Sequence, residues 1–464
     1  MQPKPRQHTF SRSIPVASGY DLVVVGGGPG GCGAAISAAR KGARVLLLEA
    51  TGTLGGMGTS AMVSAWSHMA NGKHSVIGGL MLEMVETLYD RGGIAPSYDP
   101  SFWTTVYNRG LGYSTEVYKR LLDELCGEAG VEVRFFARVI EAEADAERKE
   151  VHGLVVHQAE GLRYIEAKTF VDASGDAVLA DLCGAPSRRA GRDTPRIMPP
   201  TLCSALAGID YDRFNRKLQQ DAVEQALADG VFSQPDRHVP GLFRTGKTTA
   251  ILNAGHLFDL DALDTASLSE GMRRGRRLAV EYTEFFKHYL PGCEDIEIVT
   301  SAPAMGVRES RRIVGEYELD VEDYQARRHF PDQIAIYCKQ PDIHVYDTTP
   351  EEYARYQQEF ETRDLLEPGE SYGIPYGVLV PKGWRNLWVA GRCCSSDVKV
   401  NGAIRDQPAC VMMGQAAGTA AAQAIEENQS ASTLDTHRLI DRLLADGANL
   451  PQAERSRHPT RSSA

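Results

Sequence analysis

Three glycines, Gly26, Gly28 and Gly31, follow the apolar run Tyr20 to Val25 in the spacing G-x-G-x-x-G and open an alanine-rich run reaching about Lys41. Between a strand and a helix, that spacing holds a pyrophosphate. The first glycine makes the tight turn, the second lets backbone approach the phosphates, and the third lets helix and strand pack closely. The helix N-terminus then offers free N–H groups and the positive end of its dipole. A second strand, Ala43 to Leu48, ends in Glu49, 18 residues after Gly31, close to the ~20 expected of an acid on a ribose hydroxyl. The order strand, turn, helix, strand, acid describes a βαβ dinucleotide site. An acid there favours an unphosphorylated ribose, hence FAD or NAD over NADP.

Other residues could do chemistry, each with a plainer alternative. The loop TGTLGGMGTS, Thr51 to Ser60, carries Gly52, Gly55, Gly56 and Gly58; it allows a second backbone approach to the cofactor, or is a surface turn. His344, in Asp342-Ile343-His344, follows a strand and a proline; histidine suits proton transfer near neutral pH, though a surface histidine reads the same way. His256 and His68 are lone candidates of weaker context. Arg308, Arg311 and Arg312 lie in GVRESRRIVGEYELD, expected to be a strand with Arg308 and Arg312 on one face and Arg311 on the other; they could bind an anion or sit salt-bridged in solvent. Tyr372 and Tyr376 could face a flavin or simply pack. Cys393-Cys394 could be redox-active, but adjacent cysteines form a strained ring, so two thiols filling a tight turn is the simpler reading. Gly241 to Thr248, GLFRTGKT, fits a P-loop letter for letter, yet a P-loop needs a strand before it and a helix after it. Here SQPDRHVP precedes and the strand-like TAILNAGH follows, so the match is a coincidence.

The elements that must position these residues run the length of the chain. Helices are expected at Val76–Arg91, Thr115–Glu128 and Ser269–Leu290, with apolar residues at helical spacing. Val131 to Phe135 is a strand. Val139 to Ala144, Val151 to His157 and Leu162 to Ala167 form an antiparallel meander, and Thr169 to Ala173 returns as a separate buried strand ending in Ala173-Ser174-Gly175-Asp176. Strands are expected at Glu297–Thr300, Gln333–Tyr337 and Asn386–Ala390, and a small-residue helix from about Pro408 to Ile425 beside the first βαβ unit. The fold class is α/β: a Rossmann-like domain, with a parallel sheet and a three-stranded antiparallel meander, interrupted by an α+β substrate domain. The boundaries read as a disordered leader at 1–18, nucleotide-binding segments at 19–187 and 369–430, a substrate domain at 188–368, and a C-terminal helix with a disordered tail at 431–464.

The 464 residues suffice for two or three domains. A net charge of −11 speaks against nucleic acid as a partner. No apolar run is long enough to span a membrane. Nine scattered cysteines without a C-x-x-C suggest reduced thiols, a cytoplasmic location and no metal site.

These motifs together resemble FAD-dependent oxidoreductases of the glutathione-reductase-type FAD fold, distantly related to fumarate reductase and succinate dehydrogenase flavoproteins. The resemblance rests on the opening βαβ, LGGMGTS, VDASGDA, GVRESRRIVGEYELD and the segment IPYGVLVPKGWRNLWVAGRC…GAIRDQPACVMMGQAAGTAAA. It covers most of residues 19–425 and implies FAD as cofactor. It implies that Gly26, Gly28 and Gly31 hold the pyrophosphate and Glu49 the adenosine ribose. Gly55, Gly56 and Met57 would run along the phosphates, and Val139 would meet the adenine through its backbone. Ala173, Ser174, Gly175 and Asp176 would close over the ADP half, with Gly391 and Arg392 near the ribityl chain. The helix start around Pro408 to Cys410 would stabilise charge on the reduced flavin. No histidine follows the glycine-rich loop, so non-covalent FAD is expected, and no dicarboxylate-binding motif is recognisable.

The reading that follows is an FAD-dependent dehydrogenase or reductase moving a hydride between a small organic substrate and flavin N5, its electron partner unknown. His344 is the expected proton donor or acceptor and Arg308 the substrate anchor, with Tyr372 or Tyr376 next in line. The alternative is a monooxygenase using NAD(P)H and oxygen.

Overall fold

The structure is a computed structural model; it describes residues 8–107, 109–194, 196–240 and 242–451. Its centre is a seven-stranded sheet built around β1 (Val16–Val25). β1 pairs in parallel with β2 (Val45–Leu48), with Val25 opposite Leu48, and β2 pairs in parallel with Glu132–Arg134. Leu22–Val25 and Val45–Leu48 are buried on both faces and accordingly read as runs of valine and leucine; Glu132–Arg134 is a partly exposed edge strand. The crossover between β1 and β2 is α1 (Pro29–Arg40), which has proline in its first turn and Gly28 as its N-cap residue.

The other side of β1 corrects an expectation. Leu162 to Ala167 and Thr169 to Ala173 are one strand, Gly161–Asp172, because neither glycine nor proline separates them. Its first half pairs antiparallel with Glu150–Gln158, which pairs with Arg138–Asp145 to complete the meander. Its later half lies parallel between β1 and Leu387–Val389. The meander therefore extends the same sheet. The chain's start differs too: Val16 to Ser18 already belong to β1, so the leader does not reach residue 18, while residues 1–7 lie outside the described residues. At the far end Leu450 is buried and Asn449 donates to the Ser75 carbonyl; the rest of the tail, 452–464, lies outside the described residues.

The long helix Gln407–Glu427 packs on α1 with backbones almost touching. A Cβ on Gly414 would stand 2.1 Å from the Gly30 carbonyl oxygen, and one on Gly418 2.1 Å from that of Ala34. Only small residues permit this approach, and it seats the start of the helix beside the Gly26–Gly31 turn.

A second core gathers residues from Leu202 to Met305. It contains a four-stranded antiparallel sheet in the order Leu242–Arg244, Ala250–Leu252, Ser204–Ala207, Glu297–Ser301. The amphipathic helix Thr265–Tyr289 adds Leu278, Tyr282, Phe285 and Phe286 to this core. Ile313, Leu319, Tyr324 and Ile334 to Cys338, within the expected 188–368 segment, pack into the first core instead. The GLFRTGKT segment contributes a hairpin edge, with Leu242 opposite Leu252 and the Gly246 carbonyl accepting from Arg244 Nε. No strand–loop–helix follows, so it is not a P-loop. No helix among the described residues is long and apolar enough to cross a membrane.

Candidate active site

One groove of about 510 Å³ runs from the glycine turn to the junction of the two cores. At its first end lie Gly26, Gly28, Glu49, Gly56, Met57 and Ala173, with Ser174 and Gly175 across from them. This wall is mostly backbone. A Cβ placed on Gly28 would meet no heavy atom within 4 Å, so the turn leaves open the space a pyrophosphate would fill. Gly31 does the packing work instead: its Cβ would stand 1.8 Å from the Gly26 carbonyl oxygen. Glu49 is buried, and its carboxylate accepts from the backbone N–H groups of Gly27 and Thr51, each at 2.7 Å, which fixes it at the rim of the turn. Open cradle, acid and helix N-terminus together fit an ADP moiety.

The middle of the groove is formed by Ala390, Gly391, Arg392, Gln407 and Cys410. Arg392 is a strap rather than a free cation. It donates through Nε to the Gly175 carbonyl and through one terminal nitrogen to the Val307 carbonyl, and it pairs with Asp176 at 2.5 Å. It thereby joins three segments that approach the groove from different parts of the chain. Gln407, the first residue of the long helix, donates to the Val63 carbonyl and accepts from the Tyr113 hydroxyl. The helix N-terminus beside it could face a bound flavin.

The far end is different in kind. Arg308, Lys339, Asp342, His344, Arg405 and Asp406 line it, with His238 beside them. Arg308 has no carboxylate partner among the contacts it makes; it donates to the Pro199 carbonyl and to the Thr201 hydroxyl. Burial, then the neighbouring Arg405 charge, pull its pKa down to about 10. Lys339 is paired with Asp406 at 2.7 Å and Asp342 at 3.3 Å, and these carboxylates outweigh its burial and raise its pKa. Asp342 is held ionised against its burial chiefly by Lys339. His344 is driven well below the usual histidine range by burial and by the Arg308 charge, so it is a neutral base. A guanidinium bonded only to a carbonyl and a hydroxyl, beside a neutral imidazole, can hold an anionic group while the imidazole takes a proton from it.

His344 Nδ1 lies 2.9 Å from His256 Nε2. His238 stacks on His256 at 5.0 Å between ring centres, with the planes 16° apart. Nitrogens of the three histidines fall within 4.8 Å of one another, a spacing that a metal ion could bridge. The hydrogen bond between two of them, the parallel stacking and the Arg308 cation next to the cluster all favour a hydrogen-bonded chain over a metal site.

His344 and Arg308 thus line the same groove as the glycine turn, at its opposite end. Several other expected site residues stand elsewhere. Tyr372 is buried away from the groove with its hydroxyl on the Lys339 carbonyl, and Tyr376 donates to the Ala431 carbonyl; both are packing residues, not groove residues. Val139 lies in the meander, its backbone paired with Val156. Gly55, Asp176 and Pro408 sit just behind the groove rather than on it. His68 is buried off the groove. The expected Arg308–Arg312 face does not form. The strand is only Arg311–Ile313, Arg308 lies before it, and Arg312 is buried against Asp193, Glu309 and the Ser396 carbonyl. Cys393 and Cys394 are buried free thiols, and burial pushes the second up to about 12. Residues that sequence reading passed over include Asp236 and His238, inside a segment read only as non-strand, and Lys339, Arg405 and Asp406. The dipeptide Arg405-Asp406 directly before the long helix was the available signal.

Residues 21–443 match the family described as FAD dependent oxidoreductase. This chain belongs to that family. A dihydrolipoyl dehydrogenase of Trypanosoma brucei brucei is 53% identical over 47 residues, which are 10% of each chain. Among solved structures, a geranylgeranyl bacteriochlorophyll reductase-like protein from Thermoplasma acidophilum aligns at 14% identity and a TM-score of 0.47, covering 93% of this chain and 87% of its own. A p-nitrophenol 4-monooxygenase from Pseudomonas putida aligns at 14% identity and 0.48, covering 96% and 90%. FAD is the cofactor of this family, and the backbone cradle fits it.

Proposed function

We propose that this FAD-dependent oxidoreductase is a dehydrogenase or reductase of a small organic anion, with His344 as the acid–base group and Arg308 as the substrate anchor. The observation that supports it is the continuity of the groove: the glycine turn that fits the ADP moiety and the wall bearing Arg308 and His344 line one cavity. Gly26, Gly28, Glu49, Gly56, Met57, Ala173 and Gly175 would hold the ADP half, non-covalently, since no histidine stands in the 51–60 loop. When bound, FAD supplies the acceptor or donor of a hydride at flavin N5. The chain's own groups supply the rest. Arg308 would bind a carboxylate or a developing oxyanion. Neutral His344 would remove the proton from a hydroxyl or amine as its carbon is oxidised, and return it in the reverse direction. Lys339, tied to Asp342 and Asp406, would keep those carboxylates ionised without itself competing for the substrate.

Anaerobic stopped-flow measurement of flavin absorbance across a panel of hydroxy, amino and unsaturated acids tests this. Bleaching by one of them without NAD(P)H is the expected result. NAD(P)H consumption that requires both oxygen and an organic substrate would establish a monooxygenase instead.

A further inference from the structure

Behind His344 the chain of contacts ends on a buried carboxylate, and the positions of the protons along it follow from geometry. His256 Nδ1 lies 3.0 Å from Asp236 Oδ2, at an ion-pair distance although off the ideal hydrogen-bond line. Asp236 is fully buried. It accepts from the Tyr353 hydroxyl at 2.7 Å and from the backbone N–H groups of His238 and His256 at 3.0 and 3.1 Å. Burial alone would raise its pKa, but the charge that His256 carries when protonated, together with these donors, takes it well below the usual carboxylate range. An ionised carboxylate at 3.0 Å demands a proton on Nδ1 of His256, because a lone pair there would be repelled. Neutral His256 then has an acceptor at Nε2, so the 2.9 Å bond needs the Nδ1–H of His344 as donor. That leaves Nε2 of His344 without a proton, 3.7 Å from an Asp342 oxygen whose charge Lys339 and Arg405 offset, and the residue lines the groove.

We propose that Asp236 and His256 are positioning residues that hold His344 as its Nδ1–H tautomer and take over the charge of any proton that His344 accepts. The proposal rests on the reading of His344 as the acid–base group. In the step it describes, an O–H or N–H bond of the substrate breaks, its electron pair stays on the substrate atom, and the proton bonds to His344 Nε2. The Nδ1 proton of His344 passes to His256 Nε2. The result is a neutral His344 with its proton on Nε2, directed toward Asp342 Oδ2 at 3.7 Å, and an imidazolium at His256 beside the Asp236 carboxylate. No electron changes hands in this relay.

The charge settles on His256 because the surroundings of the two rings differ. His344 faces the Arg308 guanidinium from one segment and Asp342 from its own loop, with Lys339 and Arg405 behind Asp342. His256 faces Asp236, the His344 ring, the Phe258 ring and the stacked His238. His238 adds no charge near neutral pH, since burial and His256 bring its pKa down to about 4. His344 therefore has a cation as well as a carboxylate beside it, whereas His256 has a buried carboxylate at 3.0 Å and no cation among the groups it faces.

The test needs no substrate. Full-length, FAD-loaded protein carrying ¹⁵N-imidazole histidine is followed by long-range proton–nitrogen NMR from about pH 8.5 to about 5.5, with signals assigned through His256→Gln and His344→Gln. The expected result is a bare Nε2 on His344 at high pH, and the imidazolium signature on His256 as pH falls. Asp236→Asn should move that uptake at least about tenfold lower in proton affinity, which is one pH unit, at unchanged FAD content. Tyr353→Phe removes one donor from Asp236 and should move it the other way; this variant decides the matter if Asp236→Asn does not bind FAD. A proton on Nε2 of His344 at high pH, an imidazolium at His344, uptake unmoved in the variants, or one equivalent of zinc by elemental analysis would each overturn the proposal. Flavin bleaching that is as fast in His344→Ala as in the wild type would overturn the underlying acid–base reading and leave the tautomer result as it stands.

Discussion

The two ends of the groove are built on opposite principles. The ADP end is made of backbone, contributed mainly by a contiguous stretch, Val16 to Gly58, and its selectivity lies in what is missing: no side chain at Gly28, none at Gly31. The far end is made of charged and imidazole side chains gathered from residues 238, 308, 339 to 344 and 405 to 406, with His256 behind them. Its selectivity lies in what is left over after charges compensate. Lys339 and Arg405 balance Asp342 and Asp406, while the hydrogen bonds that Arg308 makes among the described residues go to a carbonyl and a hydroxyl. Binding by shape can be local; chemistry by residual charge needs several segments at once.

The sharpest way to break this contrast is Gly28→Val. A side chain there would enter the space left open for the pyrophosphate, and the purified protein should be colourless and refuse reconstitution with FAD. At the other end, His344→Ala should leave FAD content normal and slow flavin reduction by the substrate ~10²–10⁴-fold, measured by stopped flow. Arg308→Ala should mainly raise the apparent Kd of an anionic substrate, by about 1.5–3 kcal/mol for a lost charged hydrogen bond, with a smaller change in the limiting rate. Equal losses of FAD in all three variants would erase the distinction between the two ends.

A smaller effect concerns pH. His238 and His344 are held neutral in the folded chain, the first with its pKa near 4, whereas the unfolded chain takes up protons below about pH 6.5. The unfolded state therefore binds more protons, and stability falls as pH drops from about 6.5 toward 4. Asp236 and Asp342, depressed in the folded state, add losses only below the ordinary carboxylate range. Thermal melts should show the decline, and His238→Gln should flatten it. The smallest effect is expected of Gly246→Val in the hairpin turn: FAD content unchanged, and no ATP binding by calorimetry before or after.

Much of the first end was legible in the chain because a βαβ unit advertises itself locally. Spacing, apolar runs and the acid at Glu49 all lie within some thirty residues, and the small-residue helix Gln407–Glu427 was evident from its composition. The meander was visible as three strands, but not its continuation through Lys168 into the central sheet, because continuity there depends on pairing with β1 and Leu387–Val389. Arg308 and His344 were legible as residue types, and their sharing of a wall was not. Tyr372 shows the converse: its place before a cofactor strand suggested chemistry, and packing turned its hydroxyl onto the Lys339 carbonyl.

What the sequence alone determined is the glycine turn and the family's cofactor, FAD, since a cradle that fits a pyrophosphate is backbone conformation and backbone conformation is encoded by near neighbours. What only the tertiary structure decided is the charged end, proposed above as the reactive one. Whether a histidine is neutral and whether an arginine is left unpaired depend on burial and on charges brought from elsewhere. Asp236 meets His256 across twenty residues, and His256 meets His344 across eighty-eight; no local pattern contains those distances.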